Sequence, residues 1–256
     1  MNIILFSMQQ KKIILLAADC ESSRWVYNAL QEVISFEAVI LEQSISKKDL
    51  VKKRIKKIGF FTVMGQVLFT TLIVPFLKIK SKERKAALIN KYNLRGAAFN
   101  SSNIMRVNSV NDESCLTAIQ LLKPDIVIVN GTRIISKRIL QSSNAIFVNM
   151  HVGITPQYRG SHGGYWAVHN HDAEHFGTTI HLIDAGVDTG AVIRQAFVKP
   201  DKQDNFATYP VLQTAIGIEA LKEILPAIMD GTYKPVSNTE KGKMYYQPTI
   251  WQYFFG

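Results

Sequence analysis

The chain has 256 residues, of which 47% are hydrophobic and 20% charged, a balance that excludes an intrinsically disordered chain and suffices for one buried core with a small appendage. Two cysteines, Cys20 and Cys115, are too few for a disulfide framework and point to a reducing compartment, the cytoplasm. The net charge of +10 is local: residues 47–95 hold fourteen Lys or Arg against Asp49 and Glu83, so +12 sits there and −2 on the rest, which excludes a general nucleic-acid surface and leaves one basic patch.

Residues 1–8 are apolar, but Lys11 and Lys12 follow that stretch instead of preceding it and no small-residue cleavage pattern appears, so no secretion signal is expected. Residues 11–18 (KKIILLAA) form a continuous apolar run, as in a strand buried on both faces of a parallel sheet. Ser22 or Ser23 then caps a predicted helix through about Ile34, with Trp25, Ala29, Leu30 and Val33 on one stripe. Residues 36–41 read as a second strand, 113–122 as a helix stopped by Pro124, and 125–130 (DIVIVN) and 145–149 (AIFVN) as two more buried strands. Strand alternating with helix predicts an α/β, doubly wound, mostly parallel sheet with no internal repeats.

The alternation breaks at 47–95. A basic helix (KKDLVKKRIKK) leads into twenty uncharged residues, 58–77, and then a second basic helix, 78–91. Twenty such residues are long enough to cross a bilayer. A single crossing, however, separates the first two strands from the rest of the sheet, and basic flanks on both sides favour keeping both ends on one side of a membrane. Two expectations stay open: a buried helical hairpin, or an in-plane or re-entrant element in an anionic leaflet, with Gly65 and Pro75 as bends. The predicted organisation is a catalytic unit over 1–230 that includes this insertion, followed by a C-terminal aromatic extension over 231–256.

The chemistry concentrates in 149–190 (NMHVGITPQYRGSHGGYWAVHNHDAEHFGTTIHLIDAGVDTG). Asn149 and His151, two apart at the end of a strand, share one side of the pleat at the carboxyl edge, where open α/β sheets place their sites. An amide donor beside an imidazole suits acyl-type transfer, because negative charge builds on the carbonyl oxygen as a nucleophile adds. A carboxylate is then wanted to orient or charge the imidazole, and Asp188, in a glycine-bounded loop after the strand predicted over 178–183, is placed to return beside His151. No serine or cysteine has a comparable setting, so direct attack by an amine is the simpler scheme. The structural alternative for this trio must explain all three residues at once. No G-x-G-x-x-G follows the first strand, which disfavours a dinucleotide oxidoreductase.

Asn149-x-His151, Pro156, Arg159-Gly160, His181 and Asp188-x-Gly190 together resemble the 10-formyltetrahydrofolate-dependent formyltransferase family, well over about 124–195 and loosely over the first two strands. The resemblance implies a Rossmann-like formyltransferase fold, with Asn149, His151 and Asp188 as the catalytic set and 10-formyltetrahydrofolate as formyl donor. It implies donor-binding backbone at Gly131, Thr132, Arg133, Ile134 and Ile135 and at Asp184, Ala185, Gly186 and Val187. The implied mechanism has Asn149 and protonated His151 stabilising an oxyanion, with Asp188 raising the His151 pKa; it requires no metal. Two departures stand out. Gly153 replaces the serine many relatives carry two residues after the histidine, and residues 17–24 (AADCESSR) lack the glycine-rich phosphate loop of the purine enzyme. Ser22, Ser23 and Arg24 at a helix start offer a different phosphate site, and Tyr158, Arg159 and Gly160 a further acceptor contact. The length also leads to the expectation that the C-terminal barrel of the tRNA enzyme is not part of this chain. An amino sugar on a nucleotide, for surface polysaccharide synthesis, is therefore the expected acceptor, ahead of glycinamide ribonucleotide, a formyltetrahydrofolate hydrolase reaction, or a membrane-associated scaffold without turnover.

Other polar and aromatic residues have plainer readings. His162, His169, His171 and His175 read as structural or solvent-facing instead of metal ligands. His181 is expected to brace the site, and Arg159 to act as a clamp. The aromatic run Tyr245, Tyr246, Trp251, Tyr253, Phe254 and Phe255 is expected to dock on the core or on a second copy in a homodimer, with base stacking as the alternative.

Overall fold

The computed structural model describes residues 11–237, 240 and 242–255; the expectation about a secretion signal falls outside them. Strand β1 (Ile13–Ala18) leads into helix α1 (Glu21–Leu30) and strand β2 (Ala38–Glu42). The insertion follows as α2 (Lys47–Ile58), α3 (Phe60–Leu68), a π-helical turn (Phe69–Ile73), α4 (Val74–Lys80) and α5 (Lys82–Lys91). Then come β3 (Ile104–Val107), α6 (Glu113–Leu122), β4 (Ile126–Asn130), α7 (Lys137–Leu140), β5 (Ile146–His151), β6 (Tyr158–Gly160) and α8 (Gly163–His169). The chain closes with β7 (Gly177–Leu182), β8 (Val192–Phe197), the long α9 (Tyr209–Asp230), β9 (Lys243–Tyr245) and α10 (Ile250–Phe255).

Seven strands form one sheet in the order β3-β2-β1-β4-β5-β7-β8, parallel from β3 to β5 and antiparallel at β5–β7 and β7–β8; β6 and β9 form a separate two-stranded parallel pair. The doubly wound, mostly parallel α/β class expected from the sequence is what forms. Strand alternation explains why β1 is apolar throughout. Ile13, Leu15 and Ala17 join the core beneath α1 and α9, while Ile14 and Leu16 join the opposite core under α6 and α7. Chain order reverses between β1 and β4, which opens a crevice at the carboxyl edge beside β5.

Several boundaries move. Helix α1 starts after Cys20, whose side chain forms no cap, so neither Ser22 nor Ser23 caps it. The Ser23 hydroxyl instead accepts from Asn130 Nδ2 at 2.9 Å. The helix stops at Leu30, and Val33, expected on the buried stripe, is 56% exposed because the chain has already left the helix. The expected second basic helix splits at Ser81, whose hydroxyl donates to Leu77 O at 2.6 Å.

The buried hairpin expected of 58–77 does not form. Residues Phe60–Lys80 make one continuous 21-residue helix, and 28% of its apolar stretch is buried. Its inner side is fixed by Phe69, which packs on Phe206 and Tyr253 with ring centroids 4.8 and 5.2 Å apart. Gln66 Nε2 adds a bond to Gln247 O at 2.8 Å. Further along, Arg84 grips the buried Asp204 carboxylate with two bonds of 2.8 Å, a fork geometry that ties α5 to the loop before α9.

Candidate active site

Asn149 and His151 lie at the C-terminal end of β5, opposite His181 and Thr179 of β7. Their positions at the strand end turn both side chains into a cleft of about 480 Å³ that Asp188 also lines. Asp188 reaches it because its backbone sits in the left-handed region, φ +50°, a conformation that Asp tolerates better than bulkier residues. The loop that presents it is tied by Asp184, whose Oδ1 accepts from Gly186 N at 2.9 Å and from Thr189 Oγ1 at 2.6 Å.

The hydrogen-bond pattern assigns the groups. His181 Nδ1 lies 2.7 Å from the Leu182 carbonyl, which only accepts, so Nδ1 carries the proton. With the proton on Nδ1, Nε2 is left to accept from Asn149 Nδ2 at 3.1 Å, which sets the amide orientation and leaves the second Nδ2–H of Asn149 for the cleft. His181 thus braces Asn149 as a second imidazole that the sequence placed only as a bracing residue.

His151 is buried, with Nε2 donating to Tyr158 O at 2.9 Å and Nδ1 3.4 Å from Asp188 Oδ1. Burial is the strongest influence on its pKa and holds it below the ordinary 6.5; the Asp188 charge and the Tyr158 carbonyl oppose this, and His181 adds to it. Asp188 does raise this pKa, as expected, but its pull is smaller than the cost of a buried cation, so the expectation corrected is that of a protonated His151. Asp188 behaves conversely. Burial pushes its carboxyl up, but the neighbouring His151 and the Gly160 N–H at 2.9 Å outweigh burial and hold it well below the ordinary carboxylate range. The resting site at neutral pH is thus a carboxylate beside a neutral imidazole.

Two glycines are required by close approach. Gly160 has φ +94°, and a Cβ there would stand 2.3 Å from Tyr245 O, so only glycine brings this N–H to Asp188. A Cβ on Gly153 would meet Tyr158 O at 2.6 Å and His151 Nε2 at 2.7 Å. The departure from serine at this position follows, because the His151–Tyr158 bond occupies the space a side chain needs. Gly153→Ser is expected to destabilise the fold by about 1 to 3 kcal/mol and to displace His151, read as a fall in the thermal unfolding midpoint together with lost turnover.

The remaining sequence-predicted residues divide. Gly131, Thr132, Arg133, Ile134, Ile135, Asp184, Gly186, Val187, Ser22 and Gly160 line the cleft. The Arg133 side chain is engaged elsewhere, donating to Gln43 O at 2.7 Å and Asn108 O at 2.6 Å and pairing with Glu42. Ala185, Ser23, Arg24, Tyr158 and Arg159 do not line it. Arg24 pairs with Asp19 at 3.0 Å, the buried Tyr158 donates to Asp172 at 2.7 Å, and Arg159 donates to Gly242 O at 2.6 Å as a clamp. Lys57, Thr214 and Met244 line the cleft without any sequence signal for it, Tyr245 of the aromatic run lines it as well, and Tyr246, with Lys57 Nζ 5.5 Å from its ring centre, completes the rim. Lys57 was invisible in the sequence because nothing distinguishes it from its neighbouring lysines.

A profile of the formyl transferase family matches residues 31–211, well over half of the chain. The chain belongs to this family. Among curated relatives, a methionyl-tRNA formyltransferase from Myxococcus xanthus is 34% identical over 122 residues, 46% of this chain and 38% of the relative. The chain spans less than half the length of the curated relatives it matches. Among solved structures, glycinamide ribonucleotide transformylase 1 from Symbiobacterium toebii superposes with a TM-score of 0.60 at 14% identity, covering 92% of this chain and 99% of that one. An N-formyltransferase from Helicobacter canadensis, in complex with folinic acid and dTDP-3-aminofucose, gives 0.55 at 16%, covering 91% and 70%. At these identities the likeness is one of fold.

Proposed function

We propose that this chain moves a formyl group from 10-formyltetrahydrofolate to the amine of a nucleotide-linked amino sugar, in surface polysaccharide synthesis in the cytoplasm. The supporting observation is the convergence of Asn149, His151 and Asp188 on one cleft at the carboxyl edge of the sheet. The backbone of residues 131–135 and of Asp184, Gly186 and Val187 lines this cleft and offers the donors and acceptors that would hold the polar edge of a pterin. Tyr246 and Lys57 at the rim suit an aromatic base and a phosphate.

Bound formyl folate supplies an electrophilic carbonyl carbon. The free Nδ2–H of Asn149 donates to the formyl oxygen as charge develops there, an interaction typically worth about 3 kcal/mol. Neutral His151 receives the proton that the attacking amine loses and returns it to the folate nitrogen as the tetrahedral intermediate collapses and the formyl carbon–nitrogen bond to folate breaks. The imidazolium so formed faces two acceptors, Tyr158 O and Asp188 Oδ1, and only this form donates to both. Asp188, ionised far below neutral pH, balances the new charge.

Incubation with 10-formyltetrahydrofolate and a panel of amino-sugar nucleotides is expected to add the mass of one formyl group to one of them. The curated relatives make methionyl-tRNA the second reading, so charged tRNA belongs in the panel with glycinamide ribonucleotide. Formate released with no acceptor present identifies a hydrolase; no turnover in any arm leaves a scaffold and ends the proposal.

A further inference from the structure

The outer side of the Phe60–Lys80 helix has no partner among the described residues. Phe61 and Ile79 are 74% and 77% exposed, and Phe60, Leu72 and Phe76 are each more than half exposed. Helix α10 extends the same apolar surface: Trp251 lies against Gly65 and Tyr253 against Phe69, while Phe254 and Phe255, the latter 88% exposed, project outward. Such a contiguous apolar area marks a docking surface more often than a solvated one. Two of its hydroxyls are satisfied internally, Thr70 Oγ1 donating to Gln66 O at 2.7 Å and Thr71 Oγ1 to Val67 O at 2.9 Å, so entering an apolar medium strands neither donor.

We propose that this face docks on an anionic lipid bilayer, the helix lying in the plane of the leaflet. Spanning is excluded because β2 and β3 are hydrogen-bonded neighbours, so the insertion leaves and re-enters the sheet at one edge. The occupant follows from charge. Lys56, Lys78 and Lys80 at the two ends of the helix are exposed and have no ion-pair partner among the described residues. A basic rim around an apolar stripe matches a negatively charged headgroup layer. A second copy of the chain would set like charges against each other. Lys57 lines the catalytic cleft three residues before exposed Phe60, so docking places the cleft mouth at headgroup depth.

This proposal does not depend on formyl transfer, and its test uses neither folate nor acceptor. The full chain is mixed with vesicles of phosphatidylcholine, or of phosphatidylcholine with roughly a third phosphatidylglycerol, and sedimented. We expect binding to the anionic vesicles only. Two variants, Phe61→Ser/Phe76→Ser/Ile79→Ser and Lys56→Glu/Lys78→Glu/Lys80→Glu, are each expected to lower partitioning at least about tenfold while keeping the native circular dichroism, since each lysine near such a surface is worth about fivefold. The first variant removes exposed apolar area and the second leaves the apolar face intact, so misfolding of one does not decide the matter. Wild-type protein that stays in the supernatant, or binding that neither variant reduces, overturns the proposal. A wild-type dimer that both variants dissolve, without vesicle binding, overturns it in favour of contact between copies.

Discussion

Asn149→Ala is expected to lower kcat by about a hundredfold to a thousandfold while leaving KM for the formyl donor within a few-fold, because the lost N–H matters chiefly as charge develops on the carbonyl oxygen. Steady-state kinetics with the acceptor identified in the panel reads this split. The amide is pre-aimed: His181 Nε2 takes one Nδ2–H at 3.1 Å and leaves the other free, so no reorganisation is needed at the moment of reaction. A rise in KM with unchanged kcat would place Asn149 in ground-state binding instead and remove it from the catalytic set. The strand ladder between β5 and β7 does not use this side chain, so circular dichroism should stay native.

Asp188→Asn is expected to cost about a thousandfold in kcat, the range for losing a partner that supports a proton acceptor. Its Oδ atom would still accept from Gly160 N, which keeps the loop in place and isolates the loss of charge. The pH profile carries the sharper signature. Neutral His151 is the working form, so the rate rises with pH through the depressed His151 pKa and then levels off. Asp188 is the main influence raising that pKa against burial, so removing its charge lets the pKa fall further. The acid limb must therefore move to lower pH while the plateau drops. A limb that stays fixed, or moves to higher pH, would mean that another group controls protonation.

Much of this arrangement is legible in the sequence. Continuous apolar runs at the positions of β1, β4 and β5 announced a doubly wound sheet, since only strands buried on both faces lack alternation. The two-residue spacing of Asn149 and His151, with glycines around Asp188, announced the trio. Less local features were not legible. The long helix α9 and the short pair β6–β9 went unassigned, β6–β9 because short strands are specified by the chain across from them, and α9 because it is apolar on too many sides to show a clean stripe.

What the sequence by itself determined about this protein is its fold class, its family and the identity of the three residues proposed as catalytic, because strand periodicity and short motifs are local properties of the chain. The tertiary structure alone decided the protonation state of His151, the bracing of Asn149 by His181, the need for glycine at 153 and the exposed outer side of the Phe60–Lys80 helix. Each of these depends on burial or on an acceptor supplied by a distant segment: Tyr158 O against His151, β7 against β5, and α10 against α3. A buried imidazole and a solvated one have the same letter, and desolvation is set by what packs around it.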